Sequence, residues 1–95
     1  MAIAVIADNP GGTAEQDEAI QKQMNVADNP PAGALASLAG PFEGGWRVIT
    51  VWESQEAFET FRRERLEPAI QQAGLPVPQF QIWPLHRVRT MPQHT

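Results

Sequence analysis

The sequence predicts an α+β domain of ferredoxin-like type, a βαββαβ chain whose four strands form one antiparallel sheet with both helices on one face. Three observations carry this. Short runs rich in β-branched, aromatic or other apolar residues alternate with two stretches of helical periodicity. Clusters of Asp, Asn, Pro and Gly separate them. The resulting order of strand, helix, two strands, helix and strand is that of the split βαβ unit.

The elements follow in order. "AIAVIA", residues 2–7, reads as a buried strand closed by the turn formers "DNPGG". Thr13 stands where a helix N-cap should, with Gln16 as its capping-box partner and Glu15, Asp17 and Glu18 in the first turn, so a helix is expected from Ala14 to Val26. "ADNP" at 27–30 repeats the tetrapeptide at 7–10, but the flanks differ, and two separate uses of one turn chemistry are expected rather than a duplication. "AGALASLAG", residues 32–40, is the second strand, and "PFEGG" connects it to the third as a hairpin. In "WRVITVW" every residue except Arg47 is β-branched or aromatic, and Ser54 then caps a second helix. At the helical angle Phe58, Phe61, Arg65, Ala69 and Ala73 share one stripe. Pro68 predicts a kink or restart, and Gly74 a C-terminal cap. "QFQIWPLHRV", residues 79–88, is the fourth strand, with Pro84 arguing for a sheet edge. One domain is expected over residues 1–90 and a flexible tail over 91–95.

Composition narrows the function classes. Lys and Arg number 7 against 11 Asp and Glu, and this acidic balance lacks the electrostatic footprint of a nucleic-acid or anionic-membrane binder. Without cysteine there is no disulfide framework, thiolate nucleophile or Cys-based metal site. The two histidines form no ligand cluster with carboxylates, so no metal site is expected. The first ten residues lack the basic n-region of a signal peptide and no run approaches membrane-spanning length, so a cytoplasmic protein is expected. Both faces of the third strand are apolar: Trp46, Val48 and Trp52 on one, Ile49 and Val51 on the other. Two helices cover only one of them, which predicts a homodimer packed sheet on sheet.

The stretch "GWRVITVWESQEAFETFRRERLEPAIQQAG" resembles the strand, helix and cap of the dimeric α+β barrel superfamily, that of the antibiotic biosynthesis monooxygenases, and especially its small actinobacterial-type members. The resemblance is specific over residues 44–74 and topological elsewhere. It implies a dimer with one ligand cavity per subunit between sheet and helices. It also implies activities drawn from cofactor-free oxygenation of aromatic polyketides, haem degradation, cyclisation and isomerisation. Trp52 matches the Trp that oxygenases of this kind carry on strand three, which places it on the pocket wall, whereas Val48 stands where they carry an Asn. The second helix has no histidine for haem iron, and the chain has no tyrosine for a Tyr–His cyclase pair.

Three polar residues on apolar faces are candidates for chemistry. His86 alternates with Phe80, Ile82 and Val88 and is the side chain best suited to exchange a proton near neutrality; a structural hydrogen bond is the plain alternative. Asp17 shares a helix face with Ile20 and Met24, and its alternative is a solvated carboxylate gaining up to about 1 kcal/mol from the helix dipole. Arg65 would orient a ligand oxygen or pair with Asp17; otherwise its methylenes cover core while the guanidinium reaches water. Trp83, on the opposite side of strand four from His86, is expected at the dimer interface. His94 in the tail carries no role. The expected function is a cofactor-independent enzyme acting on a small apolar, aromatic or polyketide-like molecule by oxygenation or proton transfer. His86 and Asp17 are the catalytic candidates, and Trp52, Arg65, Phe61 and Met24 the substrate-binding ones. A non-catalytic small-molecule binder or auxiliary dimer is the alternative.

Overall fold

The computed structural model describes residues 1–91; the remainder of the tail, His94 included, lies outside the described residues. The elements are β1 (Ile3–Pro10), α1 (Ala14–Met24), β2 (Ala34–Phe42), β3 (Gly45–Trp52), α2 (Gln55–Phe61), a π turn (Arg62–Leu66), α3 (Glu67–Ala73) and β4 (Gln79–Pro84). The sheet order is β2-β3-β1-β4 and every neighbouring pair is antiparallel. This is the expected ferredoxin-like βαββαβ fold.

Register fixes the two faces. Ile3 lies opposite Trp52, Val5 opposite Thr50, Ala7 opposite Val48 and Asn9 opposite Trp46, and these side chains form the helix side. Ala4, Ile6 and Asp8 pair with Val51, Ile49 and Arg47 on the other face, as strand alternation requires. Ile3, Val5, Trp52 and Phe58 form one buried cluster, and Ile20, Met24, Ala69 and Ile70 form another; Phe61 packs against both. α1 packs against α3 rather than directly onto the sheet, which leaves room beneath it.

The strands run further than the turn formers suggest. β1 continues through Asp8, Asn9 and Pro10 because their side chains find partners in extended geometry. Arg47 donates to Asp8 through Nε at 2.6 Å and Nη2 at 2.9 Å, and Asn9 Nδ2 donates to the Trp46 carbonyl at 3.2 Å. The Asp8 carboxyl is held below the usual carboxylate range by these bonds, against the opposing effect of partial burial. Gly45 admits this approach, since a Cβ there would overlap the Asn9 carbonyl. β2 likewise extends over Pro41 and Phe42, so the hairpin turn is Glu43-Gly44 alone, with Gly44 at φ 91. Pro41 is tolerated because β2 is an edge strand, as is β4 with Pro84. α1 stops at Met24, two residues short of expectation, because Asn25 takes the left-handed cap conformation.

Three caps form at their expected residues. The Thr13 hydroxyl accepts from Gln16 N–H and the Ser54 hydroxyl from Ala57 N–H, and Gly74 closes α3 at φ 69. The second helix is continuous through the π turn, and Pro68 stands in the first turn of α3, directly after the wider turn. One expectation fails here: Ala73 is exposed, while Ile70 is buried instead. The wider turn at 62–66 holds one residue more than an α turn and so shifts the following residues by about 100°. The expected stripe assumed an unbroken α-helix.

Candidate functional site

Between the sheet and α1 lies an open cavity of about 710 Å³. Its floor is Val5, Ala7 and Asn9 from β1 with Trp46, Val48, Thr50 and Trp52 from β3. Asp17, Ile20 and Met24 of α1 form the roof, and Phe58, Phe61 and Ile70 the wall from the second helix. The 25–31 and 75–78 segments border it, and the residues of β2 facing it are exposed, so the cavity opens along that edge.

The lining is set by strand and helix periodicity. Trp52 is 1% exposed, its ring 5.8 Å from Phe58 and 5.1 Å from Phe61, and its indole N–H donates to Thr50 Oγ1 at 2.7 Å. Tilted aromatic packing of this kind adds about 0.5–1.5 kcal/mol per pair to what burial of each ring contributes. Trp46 also lines the cavity, at the Asn9 end, and its indole nitrogen is the one buried side-chain polar atom without a hydrogen-bond partner among the described residues. Asp17 is half-buried on the roof, and among the described residues no ion pair engages it.

The structure brings Asp17, Met24, Trp52 and Phe61 together on this lining. It does not bring His86 or Arg65 there. β4 ends at Pro84; Leu85 N–H still donates to the Ala2 carbonyl at 2.9 Å, but His86 follows in an exposed bend, off the strand. The expectation that alternation continues to residue 88 fails because β1, the partner of β4, begins at Ile3 opposite Pro84, so the chain beyond Leu85 has no strand to pair with. Arg65 sits in the π turn and donates through Nη2 to the Met24 carbonyl at 2.6 Å, with its guanidinium 5.9 Å from the Phe61 ring. It therefore ties the C-terminus of α1 to the second helix, pairing with a carbonyl rather than with Asp17. Trp83 lies on the open face of the sheet and is 62% exposed. Sequence reasoning missed Asn9 and Thr50 as lining residues. Asn9 was hidden in an apparent turn, and Thr50 among β-branched neighbours, although its even spacing from Trp46 and Trp52 marks the same face.

Among the described residues no three His, Cys, Asp or Glu side chains group to hold a metal ion, and no helix is long and apolar enough to cross a membrane. No family model matches the chain, and no curated protein matches it. Solved structures do. A Chloroflexus aurantiacus protein assigned to the antibiotic biosynthesis monooxygenases superposes with a TM-score of 0.62 at 13% identity, covering 94% of this chain and 98% of that one. SnoaB, a cofactor-independent oxygenase from Streptomyces nogalater, gives 0.63 at 13% identity over 97% of both chains. The fold is that of the antibiotic biosynthesis monooxygenases. A third structure with this monooxygenase fold, ActVA-Orf6 of Streptomyces coelicolor in complex with nanaomycin D, gives 0.53 at 20% identity over 97% of this chain and 92% of that one.

Proposed function

We propose that the cavity takes a small, flat, largely apolar molecule of aromatic or polyketide type and that the protein acts on it without a cofactor, by proton transfer that leads to oxygenation or to cyclisation and isomerisation. The observation that carries this is the cavity itself. Aromatic and aliphatic side chains dominate its lining, with two carboxylates, half-buried Asp17 on the roof and exposed Asp28 at the border. The likeness of fold to SnoaB and to the nanaomycin D complex supports the same class of ligand.

Both outcomes share a first step that these residues can perform. The Asp17 carboxylate takes a proton from an acidic carbon or phenol of the bound molecule, and the electron pair stays on the substrate as an enolate or phenolate. With dioxygen from solution as oxidant, a carbon–oxygen bond forms, one oxygen remains as a carbonyl and the other leaves as water. Without it, the proton returns to a different carbon. Trp52, Phe61 and Met24 shape the apolar wall of the cavity beside the rings. His86 and Arg65, outside the cavity, take no part in this scheme. A second copy of the chain is proposed to cover the open sheet face, where Leu38 is 58% and Trp83 62% exposed.

The test is turnover of an enolisable hydroxylated tricyclic ketone, followed by oxygen uptake and product absorbance, with binding read from quenching of tryptophan fluorescence. Asp17→Asn is expected to lower kcat by about 10²–10⁴-fold and leave binding intact. Undiminished turnover in that variant would remove Asp17 from the chemistry. Tight binding by the wild type with no turnover under air would favour a small-molecule binder.

A further inference from the structure

The hydroxyl of Thr50 is a donor without an acceptor among the described residues. Thr50 lies mid-floor on the helix side of β3, between Val48 and Trp52 and opposite Val5. Its Oγ1 accepts the indole N–H of Trp52 at 2.7 Å. A hydroxyl has one hydrogen to give and two lone pairs. With one lone pair taken by Trp52, the hydrogen turns away from the indole, and among the described residues none accepts it. Ser37, the cross-strand partner of Thr50 on β2, brings a second hydroxyl to the same cavity.

The same bond changes what Trp52 can offer. Its N–H is consumed within the strand, so it has no donor left for a ligand. Receiving an N–H polarises the Thr50 O–H and makes it a stronger donor in turn. Val48 makes the neighbouring floor apolar, so a ligand oxygen placed there would lose its bonds to water without replacement.

We infer that Thr50 is the oxygen-recognising residue of the cavity. Its hydroxyl donates to a carbonyl or enolate oxygen on the edge of a flat ring lying over β3. Trp52 acts behind it as a positioning residue, and the Ser37 hydroxyl stands beside it. This rests on the ligand class proposed above and narrows it to ring systems with an oxygen acceptor over the middle of the sheet. An enolate formed by loss of a proton would be held by the same bond more strongly than the neutral ketone, because a hydrogen bond to a charged acceptor is the stronger kind.

The experiment compares 1-tetralone with tetralin, which share a ring skeleton and differ in one carbonyl oxygen, by calorimetry on wild type, Thr50→Val and Thr50→Ser. The carbonyl stretch of bound tetralone is read by infrared difference spectroscopy. Valine keeps the β-branched shape of the strand, so the fold is retained. Thr50→Val is expected to weaken tetralone roughly fivefold while leaving tetralin unchanged, and to move the carbonyl stretch to higher wavenumber. Thr50→Ser is expected to restore both. Parallel changes for the two probes would overturn the inference. So would unchanged tetralone binding and an unchanged stretch in Thr50→Val, including the case in which the freed Trp52 N–H holds the oxygen. If both probes bind the wild type without regard to Thr50, this inference alone falls. If neither enters the wild-type cavity, the proposed ligand class falls with it.

Discussion

The two faces of one sheet have been given opposite tasks. On the helix side, Ile3, Val5 and Trp52 are almost inaccessible and a cavity is kept open beside them. On the other side Leu38 and Trp83 stand in water, and the Asp8–Arg47 pair closes one end, with Arg47 4.8 Å over the ring of Phe42. Strand alternation alone produces this division, because a single run such as β3 sends Trp46, Val48, Thr50 and Trp52 one way and Ile49 and Val51 the other. The contrast teaches that the covered face is complete within one chain, whereas the open face has apolar groups that gain nothing until something lies on them.

The contrast can be broken from either side. The largest effect is expected on the covered face: Trp52→Ala removes a ring packed against Phe58 and Phe61 and should cost about 3–5 kcal/mol in urea unfolding, with the cavity enlarged. A loss below about 1 kcal/mol would mean that this wall relaxes around the gap. On the open face, Leu38→Lys with Trp83→Lys should leave the circular dichroism unchanged and convert a dimer into a monomer in sedimentation at micromolar concentration. A wild-type monomer under the same conditions would leave the face uncovered and remove the proposed homodimer. The smallest effect concerns Asp8. Since Arg47 lowers its folded pKa from the ordinary 3.8, the pair adds stability above that value, and the gain disappears as pH falls through the lower folded pKa. Tm should therefore drop more steeply in acid for the wild type than for Asp8→Asn. Identical pH profiles would show that the pair adds nothing.

Topology, face assignment and helix caps were legible because each rests on local pattern: alternation in β3, Thr13 before Gln16, Ser54 before Ala57, Gly74 after the last turn. What was not legible depends on partners distant in sequence. The two copies of "ADNP" make the point. The first lies within β1 because Arg47 and the Trp46 carbonyl, some forty residues away, engage Asp8 and Asn9; the second, without them, forms turns beside the cavity. Asp17, Met24 and Phe61 follow from helical periodicity, and Trp52 from the family resemblance. His86 was misplaced because nothing in "WPLHRV" marks where pairing stops, and Arg65 because its acceptor is a backbone carbonyl at the end of another helix.

The π turn at Arg62–Leu66 decides more than where Pro68 fits. In an unbroken α-helix Ile70 would face about 120° away from Phe58; the extra residue turns it back to within about 20°, so that it is buried where Ala73 was expected. The helix is thus a shaft with a coupling in it. Its first half is keyed to the sheet through Trp52 and Phe58, and its second to α1 through Ile20 and Met24. Substitutions beyond the coupling, at Ala69 or Ile70, touch the α1 roof of the cavity through Ile20 and Met24 and do not touch Trp52 or Phe58. The contact of the helix with the sheet and its contact with α1 thus rest on different residues, joined only through Phe61.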